Sequence, residues 1–436
     1  MLAVLRASDY RFHRKIMARV FVTGLGVVSS LGFGREEYWR NVIAGNSGFS
    51  TIAGFDTSAL ERTVAGEVRG FVPRDFMTAA EARRMGRCSA FALAAARMAV
   101  EESGLRADQL SGERTTVVIG TTMGEADVIG ELEDAWVRGG PEAVLARRLP
   151  LCGSTLLPIH VARAFGARGM VQTLPAACAA GNYAIGFGAD LIRMGRADVV
   201  LCGASELLQK IQFAGFVRLG AVAPDRCQPF DKNRRGLIIG EGAGILVLES
   251  EAHAVRRNAN VLAEVGGSGL ACDAHHITRP HPEGTGSLQA MREAIARSGV
   301  TADEIDFVNA HGTGTVANDR IESLVIGEVF GDRRVPVSSM KGMLGHCMGA
   351  ASALEAVACV LTVQTGIYPP TVAYETPDPE CDVNLVANNA QRGPAGIVLN
   401  NSLAFGGYDA VVAFAKPGRL PDPSSAYREF QASGAE

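Results

Sequence analysis

The order of apolar and polar positions alternates between short apolar runs and longer amphipathic stretches. Residues 20–28 read as a buried strand in which Gly24 and Gly26 bend the end, and a helix over 36–44 follows, stopped by Asn46 to Gly48. A long helix with an Ala/Met/Leu face is expected over 79–102, ended by Gly104. Residues 115–119 form a short apolar strand, 125–148 a variable, partly helical region, and 155–165 a helix with Pro158 in its first turn. The segment 170–174 is extended, 178–194 has a helical pattern of small and branched residues, and 198–202 is again strand. So few charges interrupt 178–194 that burial on most sides is expected.

The second half repeats the rhythm. Strands are expected at 238–248 and 261–269, a helix at 285–298, a strand at 306–309, a helix at 319–329 and a strand at 335–338. A second small-residue helix over 349–364 precedes strands at 396–400 and 410–415. The Pro/Ser/Gly/Ala-rich tail after Pro417 is expected to fray. Such alternation predicts an α/β fold. In each half a strand leads to a turn with a chemistry-bearing residue, then a small-residue helix and another strand. That rhyme suits duplicated halves with chemistry at their join.

Composition narrows the partners. Lys plus Arg is 42 and Asp plus Glu is 46, a formal charge of 42 − 46 = −4. This near-neutral balance argues against nucleic acid. No stretch of about 18 uninterrupted apolar residues stands in the chain, which argues against a membrane span. Residues 1–18 read as a surface extension or a misassigned start, with Met17 the alternative first residue. Nine scattered cysteines with no CxxC pair point to a reducing compartment, the cytoplasm. Glycine is the outlier: 51 of 436 residues, 12%, against an average near ~7%.

Three residues stand out chemically. Cys178 follows Pro-Ala-Ala at the start of a helix, where free amides and the helix field favour a thiolate able to attack an activated acyl group. The alternative is a buried structural cysteine. His311, in Asn-Ala-His-Gly-Thr-Gly-Thr, belongs to a loop at a strand end. His346 follows Lys341 and two glycines; a lysine paired with a carboxylate and a histidine capping its helix would explain the same pattern. Glu322, on the helix after the His311 loop, either orients Lys341 or His346 or is solvated. Arg234 and Arg235 could meet a phosphate or form a solvated turn. His275 and His276 have no metal motif around them, and His160 and His253 look like helix-surface residues. Together Cys178, His311 and His346 make a candidate Cys-His-His site. The thiol would take an acyl group, and two imidazoles would stabilise charge on a second thioester as it loses CO₂.

These residues carry a family resemblance that extends from Arg19 to about Lys416. Val22-Thr23-Gly24-Leu25-Gly26, Ala177-Cys178, Gln228-Pro229-Phe230-Asp231, Gly240-Glu241-Gly242-Ala243, Asn309-Ala310-His311-Gly312-Thr313, Lys341 to His346 and Phe405-Gly406-Gly407 stand in the matching order. The chain resembles an elongating β-ketoacyl-[acyl carrier protein] synthase, among the thiolase-like condensing enzymes. The resemblance implies a five-layer αβαβα fold of duplicated halves, with 19–268 carrying the nucleophile, 269–416 both histidines and 417–436 a flexible tail. It implies acyl transfer to Cys178 and decarboxylation of a malonyl thioester assisted by His311 and His346. The amides of Cys178 and Phe405 would form the oxyanion hole, with Phe405 also gating. Lys341 and Glu322 would support the second histidine, Thr313 and Thr315 would contact pantetheine, and His276 would stand near the acyl pocket. Substrates would ride on the 4'-phosphopantetheine of an acyl carrier protein, with no tightly bound cofactor. The assembly would be a homodimer, or a heterodimer with a chain-length-factor-like subunit. A cysteine-dependent thioester hydrolase and a catalytically silent partner subunit are the alternatives.

The chain also departs from the family. Ala177 stands where Thr is usual, Arg234-Arg235-Gly236-Leu237 replaces Arg-Asp-Gly-Phe, Asp409 replaces Asn and Val316 replaces Pro. These departures point toward specialised polyketide or unusual fatty-acid assembly.

Overall fold

The computed structural model describes residues 18–422, so the expected N-terminal extension up to residue 17 and the tail from 423 lie outside the described residues. The first half of the frame runs β1 (Val20–Ser29), α1 (Arg87–Ser103), β2 (Thr115–Gly120), α2 (Leu156–Phe165), β3 (Val171–Leu174), α3 (Ala180–Arg193), β4 (Val199–Glu206), α4 (Lys210–Arg218) and β5 (Gly242–Ser250). The second runs β6 (Ala263–Cys272), α5 (Thr285–Arg297), β7 (Phe307–Asn309), α6 (Val316–Phe330), β8 (Pro336–Ser338), α7 (Ala351–Thr365), β9 (Asn384–Leu385), β10 (Ile397–Ala404) and β11 (Tyr408–Ala415).

Strand order repeats the same design twice: β3-β2-β4-β5-β1 in one half, β8-β7-β10-β11-β6 in the other, with β9 added beside β8. In each half the first three strands are parallel and the last two join antiparallel. The half-sheets meet where Phe21 and Val22 of β1 pair with Glu264 and Ala263 of β6. Helices α1 and α2 cover one outer face, and α5 and α6 the other. Between the sheets lie α3 and α7, packed on each other and on strands of both halves. This is the five-layer αβαβα arrangement of the thiolase-like fold. Three apolar clusters fill its interfaces, the central one gathering Ile185, Leu191, Leu354 and Val357 around α3 and α7. Residues Met348–Thr365 have a mean hydropathy of 1.3 over 18 residues, enough by composition to cross a membrane, but 89% of that stretch is buried inside the protein.

Several expectations change. The helix over 79–102 is broken: a turn at Ala79–Ala82 is separate from α1. The Glu125 carboxylate starts α1 by accepting the N–H groups of Cys88 at 3.2 Å and Ser89 at 2.7 Å. A Cβ on Gly86 would sit 2.0 Å from that carboxylate. Gly24 and Gly26 do not bend a strand end. They lie inside β1, where a Cβ would come within 2.0 Å of the Ala99 carbonyl oxygen and 1.8 Å of that of Ala95, so they let α1 approach the sheet. A division after residue 268 cuts β6, which pairs with β11 along most of its length. The tail does not fray at once: Leu420 is buried, its carbonyl accepts from Arg19 at 3.2 Å, and the Gly418 N–H donates to Glu264 at 3.3 Å.

Candidate active site

Cys178 sits in a single 3₁₀ turn, Ala177–Ala179, directly ahead of α3. The turn is sharp: Ala177 has φ +45°, a left-handed value uncommon outside glycine. Its counterpart in the other half, Met348–Ala350 ahead of α7, begins on Met348 with the same φ of +45°. The turn is held from across the duplication. Ser352 Oγ of α7 and Ser402 Oγ of β10 each donate to the Cys178 carbonyl at 3.3 Å. α3 and α7 can meet here because Gly181 has no side chain; a Cβ would lie 2.5 Å from the Ala353 nitrogen.

The thiol is 6% exposed and faces a cavity of about 790 Å³. The expected resting thiolate is not what the site favours. Burial pushes the thiol up to about 12, against the Lys341 cation and the backbone amides of Phe405 and Cys178, which favour the anion. One short turn of helix field does not offset desolvation.

His311 and His346 line the same cavity as Cys178. Their ring centroids are 5.2 Å apart at 83°. Burial, and then the Lys341 cation, hold both well below the usual histidine range, so both are neutral near pH 7. His346 Nδ1 accepts the Met348 N–H at 3.1 Å, which leaves its proton on Nε2. His311 Nδ1 is buried without a protein hydrogen-bond partner.

The supporting charges are arranged differently from expectation. Glu322 is neither solvated nor next to Lys341. It is fully buried beneath the His311 loop, accepting the N–H groups of His311 at 2.6 Å and Gly312 at 2.7 Å, and Asn401 Nδ2 at 2.5 Å. Burial pushes its carboxyl up to about 7 against these bonds. Lys341 instead pairs with Glu355 of α7, Nζ to Oε1 at 2.5 Å, with both side chains 1% exposed. Glu355 escaped the sequence reading, although a single acid in the apolar run 351–363 signals a buried charge with a partner elsewhere.

Thr313 and Thr315 both line the cavity, their hydroxyls 2.8 Å apart. Phe405 is 36% exposed at the wall and stacks on Phe216 of α4, centroids 5.6 Å apart at 11°. The structure does not bring His276 to this cavity. Its ring is exposed, with Nδ1 accepting the Thr278 N–H at 3.0 Å, while Thr278, Arg279 and Pro280 form the wall there. Both Arg234 and Arg235 line the cavity: Arg234 is buried and paired with Asp378, while Arg235 stays exposed, 3.6 Å from Asp225. His253 is buried rather than on a helix surface, 2.5 Å from Glu249, and His160 has a buried Nε2.

A duplicated αβαβα frame with a cysteine turn ahead of one central helix and a histidine turn ahead of the other defines a thiolase-like condensing enzyme. Comparison with known proteins narrows the class. The family described as "Beta-ketoacyl synthase, N-terminal domain" matches residues 17–254, and "Beta-ketoacyl synthase, C-terminal domain" matches 262–375. The chain belongs to the β-ketoacyl synthase family. It is 40% identical over 399 residues to nodulation protein E of Rhizobium leguminosarum bv. trifolii, covering 91% of this chain and 98% of that one. It is 35% identical over 407 residues to the 3-oxoacyl-[acyl-carrier-protein] synthase 2 of Synechocystis sp., with the same coverage of 91% and 98%. Among solved structures it is similar to the ishigamide ketosynthase/chain length factor, with a TM-score of 0.90 and 43% identity over 92% of this chain and 100% of that one. A type II polyketide ketosynthase solved with its acyl-carrier protein has a TM-score of 0.85 and 32% identity, covering 92% and 99%.

Proposed function

We propose that this chain is a β-ketoacyl-[acyl carrier protein] synthase, joining an acyl chain held on Cys178 to malonyl-acyl carrier protein by decarboxylative Claisen condensation. The observation that carries this reading is the convergence of Cys178, His311 and His346 on one cavity. In the first half-reaction the Cys178 sulfur attacks an acyl thioester and expels the carrier thiol, which takes up the proton the cysteine loses. In the second, the malonyl carboxylate leaves as CO₂. The enolate oxygen that results is stabilised by imidazole N–H groups of His311 and His346, both neutral and therefore donors rather than counter-ions. The enolate carbon attacks the acyl carbonyl. The oxyanion formed there is served by the amides of Cys178 and Phe405, the two that face the sulfur. Collapse expels the Cys178 thiolate, which a proton from solvent restores.

Glu322 holds the His311 loop, and the Lys341 cation, itself held by Glu355, adds to the burial that keeps both imidazoles neutral. The threonine pair 313 and 315 suits a pantetheine amide. No tightly bound cofactor is needed for this chemistry. Substrates arrive on the phosphopantetheine of a carrier protein, and the working assembly is a dimer, with itself or with a chain-length-factor-like subunit as in solved relatives. Nine free thiols suit a cytoplasmic setting. Ala177, Arg235, Val316 and Asp409 point this enzyme toward specialised polyketide or unusual fatty-acid assembly. An extension assay with a panel of primers tests that preference: unsaturated or aromatic primers should be extended better than saturated ones, and the reverse order contradicts it.

A further inference from the structure

Asp409 stands on β11, two residues past the 405–407 turn, and lines the reaction cavity together with Asp273. It is 1% exposed, and its Oδ2 is buried without a hydrogen-bond donor from the protein. A Cβ placed on Gly286 would lie 2.4 Å from Asp409 Oδ2 and 2.8 Å from Asp273 Oδ1, so the two carboxyl groups converge on one point. Asp273 is the acceptor of the two: its Oδ2 takes the His281 N–H at 2.9 Å and its Oδ1 the Gly286 N–H at 3.3 Å. The same residue clasps the turn, because its own N–H donates to the Gly407 carbonyl at 2.9 Å while the Gly406 N–H donates to Ile277 at 2.9 Å.

We infer that Asp409 and Asp273 share one proton, as carboxylic acid and carboxylate, and that this bond fixes the 405–407 turn against the 273–281 segment so that the Phe405 amide stays aimed at Cys178. Asp409 is thus a positioning residue for the condensation proposed above and rests on that reading. Two adjacent buried carboxylates repel, so one is expected to keep its proton. Burial, then the charges of Asp273 and Glu322, push the Asp409 carboxyl up to about 8. The other titratable group coupled to it is the Tyr183 phenol of α3, itself pushed up to about 12 by burial and then by the Asp409 charge. Arg234, Arg235 and Arg279 line the cavity; Arg234 is engaged by Asp378 and Arg235 by Asp225. Above pH 8 the proton leaves, the shared bond becomes a repulsion, and the turn loses its anchor.

The test compares wild type, Asp409→Asn and Asp409→Ala. Acylation of Cys178 by hexanoyl-N-acetylcysteamine is followed by intact mass from pH 6.5 to 9.5, alongside the infrared carbonyl band of a protonated carboxyl. The asparagine amide donates to Asp273 at every pH. The wild-type rate relative to Asp409→Asn should therefore fall by about tenfold between pH 7 and pH 9, a fraction of what losing a whole oxyanion donor costs. Asp409→Ala should be slower than Asp409→Asn at pH 7. The carboxyl band that titrates near pH 8 in wild type should be missing from Asp409→Asn, which keeps the bands of Glu125 and Glu322 titrating near pH 7. Superposable pH profiles of wild type and Asp409→Asn overturn the inference, as does a wild-type spectrum without that band. Failure of wild-type Cys178 to acylate at any pH instead counts against the condensation reading, and the infrared band then decides the carboxyl pair by itself.

Discussion

Burial holds the Cys178 thiol protonated, up to about 12, so its reactivity has to come from the amides and the Lys341 cation that favour the anion as it forms. Cys178→Ala should accept no acyl group by intact mass while keeping malonyl decarboxylation; full elongation by that variant would reject the nucleophile. His311→Ala and His346→Ala should each slow condensation by about 10²-fold or more while acylation changes less, the size expected for one lost donor to an oxyanion. Single-turnover rates of the two half-reactions check this. Lys341→Met should destabilise by about 3–5 kcal/mol, because Glu355 is left charged and buried. The double change Lys341→Met with Glu355→Leu should regain stability yet raise both histidine pKa values, moving the acid limb of the rate profile upward; an unmoved limb contradicts the electrostatic role. Cys178 and His311 were legible because each stands among small residues just past a strand, and His346 because it follows a glycine and precedes a small-residue helix. Their charged supports were not. Glu355 lies 14 residues past Lys341 on an otherwise apolar helix, and only the fold shows that Glu322 sits under His311. The exposed place of His276 was equally hidden, since a loop side chain's direction is not written in spacing.

At the scale of elements, glycines decide how closely helices approach. Gly24→Val would drive a branched side chain into a carbonyl 2.0 Å from its Cβ position, and Gly181→Val would part α3 from α7. Each should cost about 2–3 kcal/mol or more by overpacking, read as a lowered urea midpoint, with Gly181→Val also displacing the Cys178 turn and so reducing acylation. A control at Gly130, where a Cβ meets nothing within 4 Å, should leave the midpoint nearly unchanged. Amphipathic and small-residue helices were readable from periodicity, and most strands fell within two residues of their expected ends. The break at 83–86 was not, because a remote carboxylate, Glu125, caps α1 and no local stop signal marks the place beyond Gly86. Helix α4 escaped as well: Lys210–Arg218 buries only Gln212 and Phe213, too few apolar positions for a clear stripe.

At the scale of the whole molecule, the duplicated halves place one reactive turn ahead of each central helix, and the chemistry lies where the turns face. The rhyme in the sequence foretold this arrangement, while the strand order that closes it came from pairing between distant segments. Burial of acids around the join gives the fold a characteristic pH response. Glu125 and Glu322 rise to about 7 and Asp409 to about 8, above their unfolded values, so the folded state binds more protons than the unfolded chain. Stability from these groups is full below about pH 4 and is lost as pH rises through 7 to 8. Thermal midpoints should therefore fall between pH 6 and pH 9, and fall less in Asp409→Asn; a rising midpoint would contradict the assignment. The central claim is carbon–carbon bond formation, and intact-protein mass spectrometry of carrier-bound products tests it most directly. Enzyme, acyl-carrier protein and malonyl-carrier protein should yield a β-ketoacyl carrier two carbons longer with release of CO₂. Free acid alone, or an unchanged acyl carrier with Cys178 unlabelled, would contradict it.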